Sequence, residues 1–118
     1  MTDIEERRYD VLVVGGGLSG FAAGLTCARH GLSVLVAGAH PVLGWEAVWT
    51  FQNELPAEPS GLAREVADAV GALGARGNGV LDSPVVELTL DRMAGEAGMD
   101  VLYHVRPVAL LVSDGCAR

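Results

Sequence analysis

Three glycines carry the spacing in this sequence that points most directly to chemistry. They are Gly15-x-Gly17-x-x-Gly20, inside the run Gly15-Gly16-Gly17-Leu18-Ser19-Gly20. Each glycine has its own reason. Gly15 lets the chain turn tightly out of a strand, Gly17 leaves no side chain between the backbone and a pyrophosphate, and Gly20 lets the next helix pack close to that strand. A helix starting there offers unbonded N–H groups and the positive end of its dipole to phosphates. The implied chemistry is dinucleotide binding through backbone dipoles. The formal net charge of −7 agrees. Such a balance supplies no basic cluster for phosphates, and it argues against nucleic acid or an anionic membrane as a partner.

The motif needs a strand before it and a helix after it. Tyr9-Asp10-Val11-Leu12-Val13-Val14 is a nearly unbroken apolar, β-branched run, as in a buried parallel strand. Leu18, Phe21, Ala22, Leu25 and Ala28 then recur at helical spacing, and Gly31 ends that helix. Ser33 to Ala37 reads as a second buried strand, so the opening is strand, glycine turn, helix, strand. Residues 38–59 read as loop and hold Trp45, Trp49 and Phe51. Leu62, Val66, Ala69, Val70 and Leu73 predict a helix from Ser60, and Gly74 to Gly79 a breaker. Ser83-Pro84 reads as an N-cap with proline at the first helical position, before Val86, Leu90, Met93, Ala94 and Ala97 on one face. Gly98 closes that helix, and strands are predicted at Asp100–Val105 and Val108–Val112.

Asp114-Gly115 after the last of these strands is a hairpin signal with only Cys116, Ala117 and Arg118 left to return. A lone edge strand leaves a row of unpaired N–H and C=O groups. The expectation is a single, incomplete domain over residues 1–118, with a second polypeptide supplying the neighbour. A short solvated tail on a frayed edge is the alternative.

The stretch Tyr9-Asp10-Val11-Leu12-Val13-Val14-Gly15-Gly16-Gly17-Leu18-Ser19-Gly20-Phe21-Ala22-Ala23-Gly24 is similar to the opening of FAD-dependent oxidoreductases of the glutathione-reductase type. Gly24 extends the fingerprint as that family does. Pro41-Val42-Leu43-Gly44-Trp45-Glu46-Ala47 resembles the family's Leu-Gly-Gly segment along the flavin, and Leu90 to His104 resembles its helix leading into the third strand and a β-meander. The resemblance implies an α/β fold: a Rossmann-like βαβ dinucleotide-binding unit on a parallel sheet, ending at the start of a β-meander. It implies FAD as cofactor, with contacts at Gly15, Gly16, Gly17, Leu18, Ser19, Gly20, Gly38, Gly44, Trp45, Glu46 and Pro107.

Three of these positions depart from the family. Its second strand ends in an acid that holds the adenosine ribose, and that position is Gly38 here. Its adenine edge meets a backbone N–H just after the third strand, where this chain has Pro107, which has none. Its second glycine after the loop leucine is Trp45. The function expected is therefore a subunit or fragment of an FAD-dependent oxidoreductase, acting on a small-molecule substrate with another chain. One alternative is a non-catalytic, cofactor-free Rossmann subunit that stabilises or regulates a partner. The other is a stand-alone NAD(P)-binding module, although the residues after Gly38 are Ala39 and His40, with no Arg for a 2′-phosphate.

The remaining candidates are bland. His30 sits at a helix C-terminus, His104 is expected in a strand, and Ser19 and Ser33 lack a nucleophile's context. Glu46 is the one acid beside the loop tryptophans that could face a cofactor. Trp45, Trp49 and Phe51 suit a cofactor pocket or a partner face. No His, Cys or acid spacing suggests a metal, and Cys27 and Cys116 read as reduced structural thiols. No catalytic acid or base is identifiable. The eight basic residues are all Arg. The mixed-charge start, Met1 to Arg8, lacks the basic head and apolar stretch of a secretion signal, which gives a cytoplasmic expectation.

Overall fold

In a computed structural model, which describes residues 5–117, the predicted strand–helix–strand unit forms. Strand β1 is Val11–Val14, helix α1 is Leu18–Arg29 and strand β2 is Val34–Ala37. There follow α2 (Trp45–Val48), α3 (Gly61–Ala72), the two-residue strands β3 (Arg76–Gly77) and β4 (Val80–Leu81), α4 (Ser83–Glu96) and β5 (Asp100–Leu102). The short strands β6 (Val112–Ser113) and β7 (Cys116–Ala117) close the described chain. Residues 1–4, on which part of the expectation about a leader rested, lie outside the described residues. Among the described residues no helix is long and apolar enough to cross a membrane.

The main sheet is parallel, in the order β1-β2-β5, with Val11 opposite Val34 and Val36 opposite Val101. Alternation along the strands gives it two unlike faces. Val34 and Val36 point into the core with Phe21, Leu25, Leu43 and Leu90. Gly24 is where α1 meets this face, since a Cβ there would lie 2.7 Å from Met99 Sδ and 2.9 Å from Val36 Cγ2. On the opposite face the rows Leu12–Leu35–Asp100 and Val14–Ala37–Leu102 run across the sheet, and Leu12 and Val14 are 53% and 58% exposed.

Two polar ties fix the strand ends. The Ser33 amide and hydroxyl both donate to Asp10 Oδ2 at 2.8 Å, and the Asp10 amide donates to Ser33 Oγ at 2.8 Å. Those bonds favour the ionised carboxylate and hold Asp10 below the usual carboxylate range. The Tyr9 hydroxyl donates to Asp100 Oδ2 at 2.7 Å, which raises the phenol's pKa.

Several expectations need correction. Val108 to Leu111 form no strand: they have no neighbour to pair with among the described residues, and Val108 is 98% exposed. The return that seemed to be missing is present as β7, because Asp114 and Gly115 both take positive φ (52° and 75°) and close a two-residue turn. Asn78-Gly79 does the same between β3 and β4, where only a breaker was expected. His104 has φ 57° and lies past the end of β5. The N-cap of α4 is Asp82, whose carboxylate accepts from the Val85 amide at 3.2 Å, so Ser83 is already helical. Leu73 is exposed where the periodicity placed it on the apolar face of α3.

Candidate functional site

The glycine loop sits where the sequence places it, between the end of β1 and the start of α1. The Gly15 amide donates to Ala37 O at 2.8 Å, which ties the turn to the end of β2. The turn uses a positive φ of 110° at Gly15, a conformation other residues avoid. At Gly20 a Cβ would collide with the carbonyl oxygen of Gly15, so only glycine allows this approach. Gly17 caps α1 in extended conformation and brings no side-chain cap of its own, and the first turn holds no acid. The first helical bond that α1 closes runs from Phe21 N to Gly17 O at 2.9 Å. The amides of Leu18, Ser19 and Gly20 therefore precede the first intrahelical bond. This is an anion site built from backbone.

The chain itself places one anion there. The Glu46 carboxylate accepts from the Leu18 amide, at 3.0 Å through Oε2 and 3.3 Å through Oε1. A Cβ on Gly17 would strike that carboxylate. The space left by the absent side chain of Gly17 is thus the space Glu46 reaches into.

Helix α2 carries Glu46 and is held by short bonds. Gly44, at φ 62°, donates to Gly16 O at 2.8 Å, and a Cβ on Gly44 would lie 2.5 Å from Leu90. The buried Ser83 hydroxyl donates to Ala47 O at 2.8 Å, and Asn53 Nδ2 donates to Leu81 O at 2.6 Å and to Ser83 Oγ at 3.1 Å. The Thr50 hydroxyl donates to Glu46 O at 2.6 Å. Nothing in the spacing of Asn53, Ser83 and Ala47 pointed to this bracket; only the fold brings them together.

At the position where the resemblance implies an acid for the adenosine ribose, Gly38 has no side chain. Gly38 extends the β2–β5 pairing, donating to Leu102 O at 2.9 Å and accepting from the Val105 amide at 3.0 Å. A Cβ at Gly38 would lie 3.1 Å from Gly16 N, so the position abuts the loop and tolerates little. Pro107 is exposed beyond β5. His40 stacks on Trp45 with ring centroids 4.6 Å apart and meets Trp49 edge-on at 5.5 Å. Trp45 is half-buried against the core, while Trp49 and Phe51 are exposed. Nearby, burial and a 2.8 Å hydrogen bond to Asp91 hold the Tyr103 hydroxyl well above the usual tyrosine range. The fold therefore gathers Gly15 to Gly20, Gly38, Gly44, Trp45 and Glu46 at one end of the sheet.

Among the described residues no group of three or more His, Cys, Asp or Glu could hold a metal, and Cys27 and Cys116 are free thiols. A family model described as FAD dependent oxidoreductase matches residues 10–118. Digeranylgeranylglycerophospholipid reductase of Methanospirillum hungatei is 30% identical across 96% of this chain, which spans 33% of that protein. The crystal structure of Thermovibrio ammonificans THI4 superposes with a TM-score of 0.59 at 28% identity, covering 93% of this chain and 45% of that one. Aklavinone-11 hydroxylase, solved with FAD and aklavinone, shares the fold at a TM-score of 0.53 and 18% identity, over 94% of this chain and 28% of that one.

Proposed function

We propose, because the chain belongs to the FAD dependent oxidoreductase family, that it supplies the pyrophosphate-binding part of a flavin oxidoreductase. FAD is the cofactor of that family, and when bound it supplies the redox chemistry. The observation that carries the proposal is the loop's geometry. Gly17 adds no side chain beside the first amides of α1, a helix whose N-cap residue makes no side-chain bond, and Gly20 lets the helix approach the Gly15 carbonyl. On this reading the amides of Leu18, Ser19 and Gly20 bind the pyrophosphate, and Gly44 and Trp45 lie along the cofactor.

The remainder of the cofactor site and the substrate site come from further polypeptide, either a second chain in a hetero-oligomer or the rest of a longer protein of which this is a fragment. Two observations support that. The chain spans about a third of the length of the curated relatives it matches. One face of its sheet, at Leu12, Val14 and Leu102, is apolar and uncovered. The substrate is a small molecule.

A cofactor-free subunit is the second reading. It is favoured by Gly38, which has no carboxylate for a ribose, and by the carboxylate of Glu46 on the loop. The stand-alone NAD(P) module has less support, since the matched family uses FAD. The chain purified with whatever polypeptide accompanies it separates these readings. Release of FAD on denaturation, with visible flavin absorption beforehand, is the expected result. A colourless, stably assembled complex would favour the second reading.

A further inference from the structure

We infer that Glu46 is a built-in competitor for the anion site on α1, an autoinhibitory contact that a dinucleotide must displace. This rests on the proposal that the cofactor's pyrophosphate takes the N-terminus of α1, and it adds what governs entry to that site. The carboxylate bonds the first amide of α1 and stands in the space that Gly17 leaves open. α1 has no side-chain cap from its own N-cap residue and no acid in its first turn, and the Glu46 carboxylate bonds the first amide in their place. A carboxylate is stabilised at a helix N-terminus for the same reason a phosphate is. Two anions cannot share those amides without repulsion at contact distance.

The backbone of α2 is anchored, through Gly44 to Gly16 and through Ala47 to Ser83, while the Glu46 side chain is only half-buried. It can therefore swing clear without α2 moving. In the free chain Glu46 caps α1 and lowers affinity for dinucleotides; on loading, the pyrophosphate takes over the cap. Gly17 explains why the contact is compatible with binding. The same missing side chain that admits a phosphate admits the carboxylate in its absence.

The test titrates FAD, and separately inorganic pyrophosphate, into the chain purified together with its accompanying polypeptide and stripped of any bound flavin. Wild type is compared with Glu46→Gln, Glu46→Ala and Glu58→Gln. Flavin fluorescence and calorimetry are the readouts. Removing a carboxylate from a helix N-terminus should tighten binding about two- to five-fold. Glu46→Gln and Glu46→Ala should both show this, and Glu58→Gln, the same charge change on an exposed loop, should not. If wild type binds FAD and both Glu46 variants bind it equally or more weakly, the competitor role is overturned and the FAD reading survives. If no form binds FAD, the FAD reading fails and pyrophosphate decides. Tighter pyrophosphate binding in the Glu46 variants upholds the competition, and unchanged binding overturns it.

Discussion

At the scale of single residues, the loop glycines are alike in sequence and unlike in what they forbid. A methyl group at Gly20 meets the backbone of Gly15, which cannot rotate away. A methyl group at Gly17 meets the end of the flexible Glu46 side chain, at a backbone φ of −69° that alanine accepts. Gly20→Ala should therefore cost about 1–3 kcal/mol of stability in denaturant unfolding. Gly17→Ala should cost about 1 kcal/mol or less and act instead on cofactor affinity. Equal stability losses in the two variants would contradict this division. Asp10 gives a second prediction. Its pKa is lowered in the folded chain by the Ser33 amide and hydroxyl, so the unfolded chain binds the proton more readily. The stabilisation is present above the unfolded value of about 3.9 and is lost as pH falls through the lower folded value. Thermal melts of wild type should fall in stability across that acid window, and Asp10→Asn should show a shallower fall.

At the scale of elements, some were legible in the sequence and others were not. β1, α1, β2 and α4 were legible because apolar strand runs and amphipathic helices leave long signals, although β1, expected to be buried, leaves Leu12 and Val14 exposed on the uncovered sheet face. Val34 and Val36, or Val86, Leu90 and Met93, are buried as their spacing implies. The hairpin at Asn78-Gly79 was missed because its strands have two residues each, too short for any alternation, although the turn residues themselves carry the signal. Val108 to Leu111 misled in the opposite way, since apolar composition suits a strand but cannot make one without a partner. Glu46 was recognised as an acid near the site, yet its bond to Leu18 was not readable, because the fold sets that contact and sequence spacing does not. The bracket of Ser83, Asn53 and Ala47 belongs to this scale. The Ser83 side chain is buried and bonds both partners. Ser83→Ala should destabilise the chain by about 1–3 kcal/mol and loosen α2, seen as faster amide exchange at Ala47 and Val48. Unchanged exchange there would show that α2 is held by other contacts.

At the scale of the whole molecule, the helices cover one face of a three-stranded sheet and leave the other apolar. Leu12 and Val14 are more than half exposed, and Leu110, Leu111 and Val112 are exposed too. On the proposed assembly, the sheet face at Leu12 and Val14 is the candidate interface. Replacing Leu12 and Val14 together with Gln should leave the isolated chain's stability nearly unchanged, because neither side chain is buried, and should weaken assembly with the accompanying polypeptide. Size-exclusion chromatography of the copurified complex reads this directly, and assembly unaffected by the double change would remove the sheet face from the interface. On the proposed function, the phosphate end of the cofactor lies on α1, and Gly38 and Pro107 leave the adenosine end to backbone or to further polypeptide.

The most direct test of this account is flavin occupancy of the purified assembly in wild type and in Gly17→Val. Wild type should carry FAD in near-equimolar amount, with visible flavin absorption. Gly17→Val should fold and assemble as wild type does but lose most of that absorption. Undiminished FAD in Gly17→Val, with folding and assembly intact, would contradict the placement of the pyrophosphate on this loop.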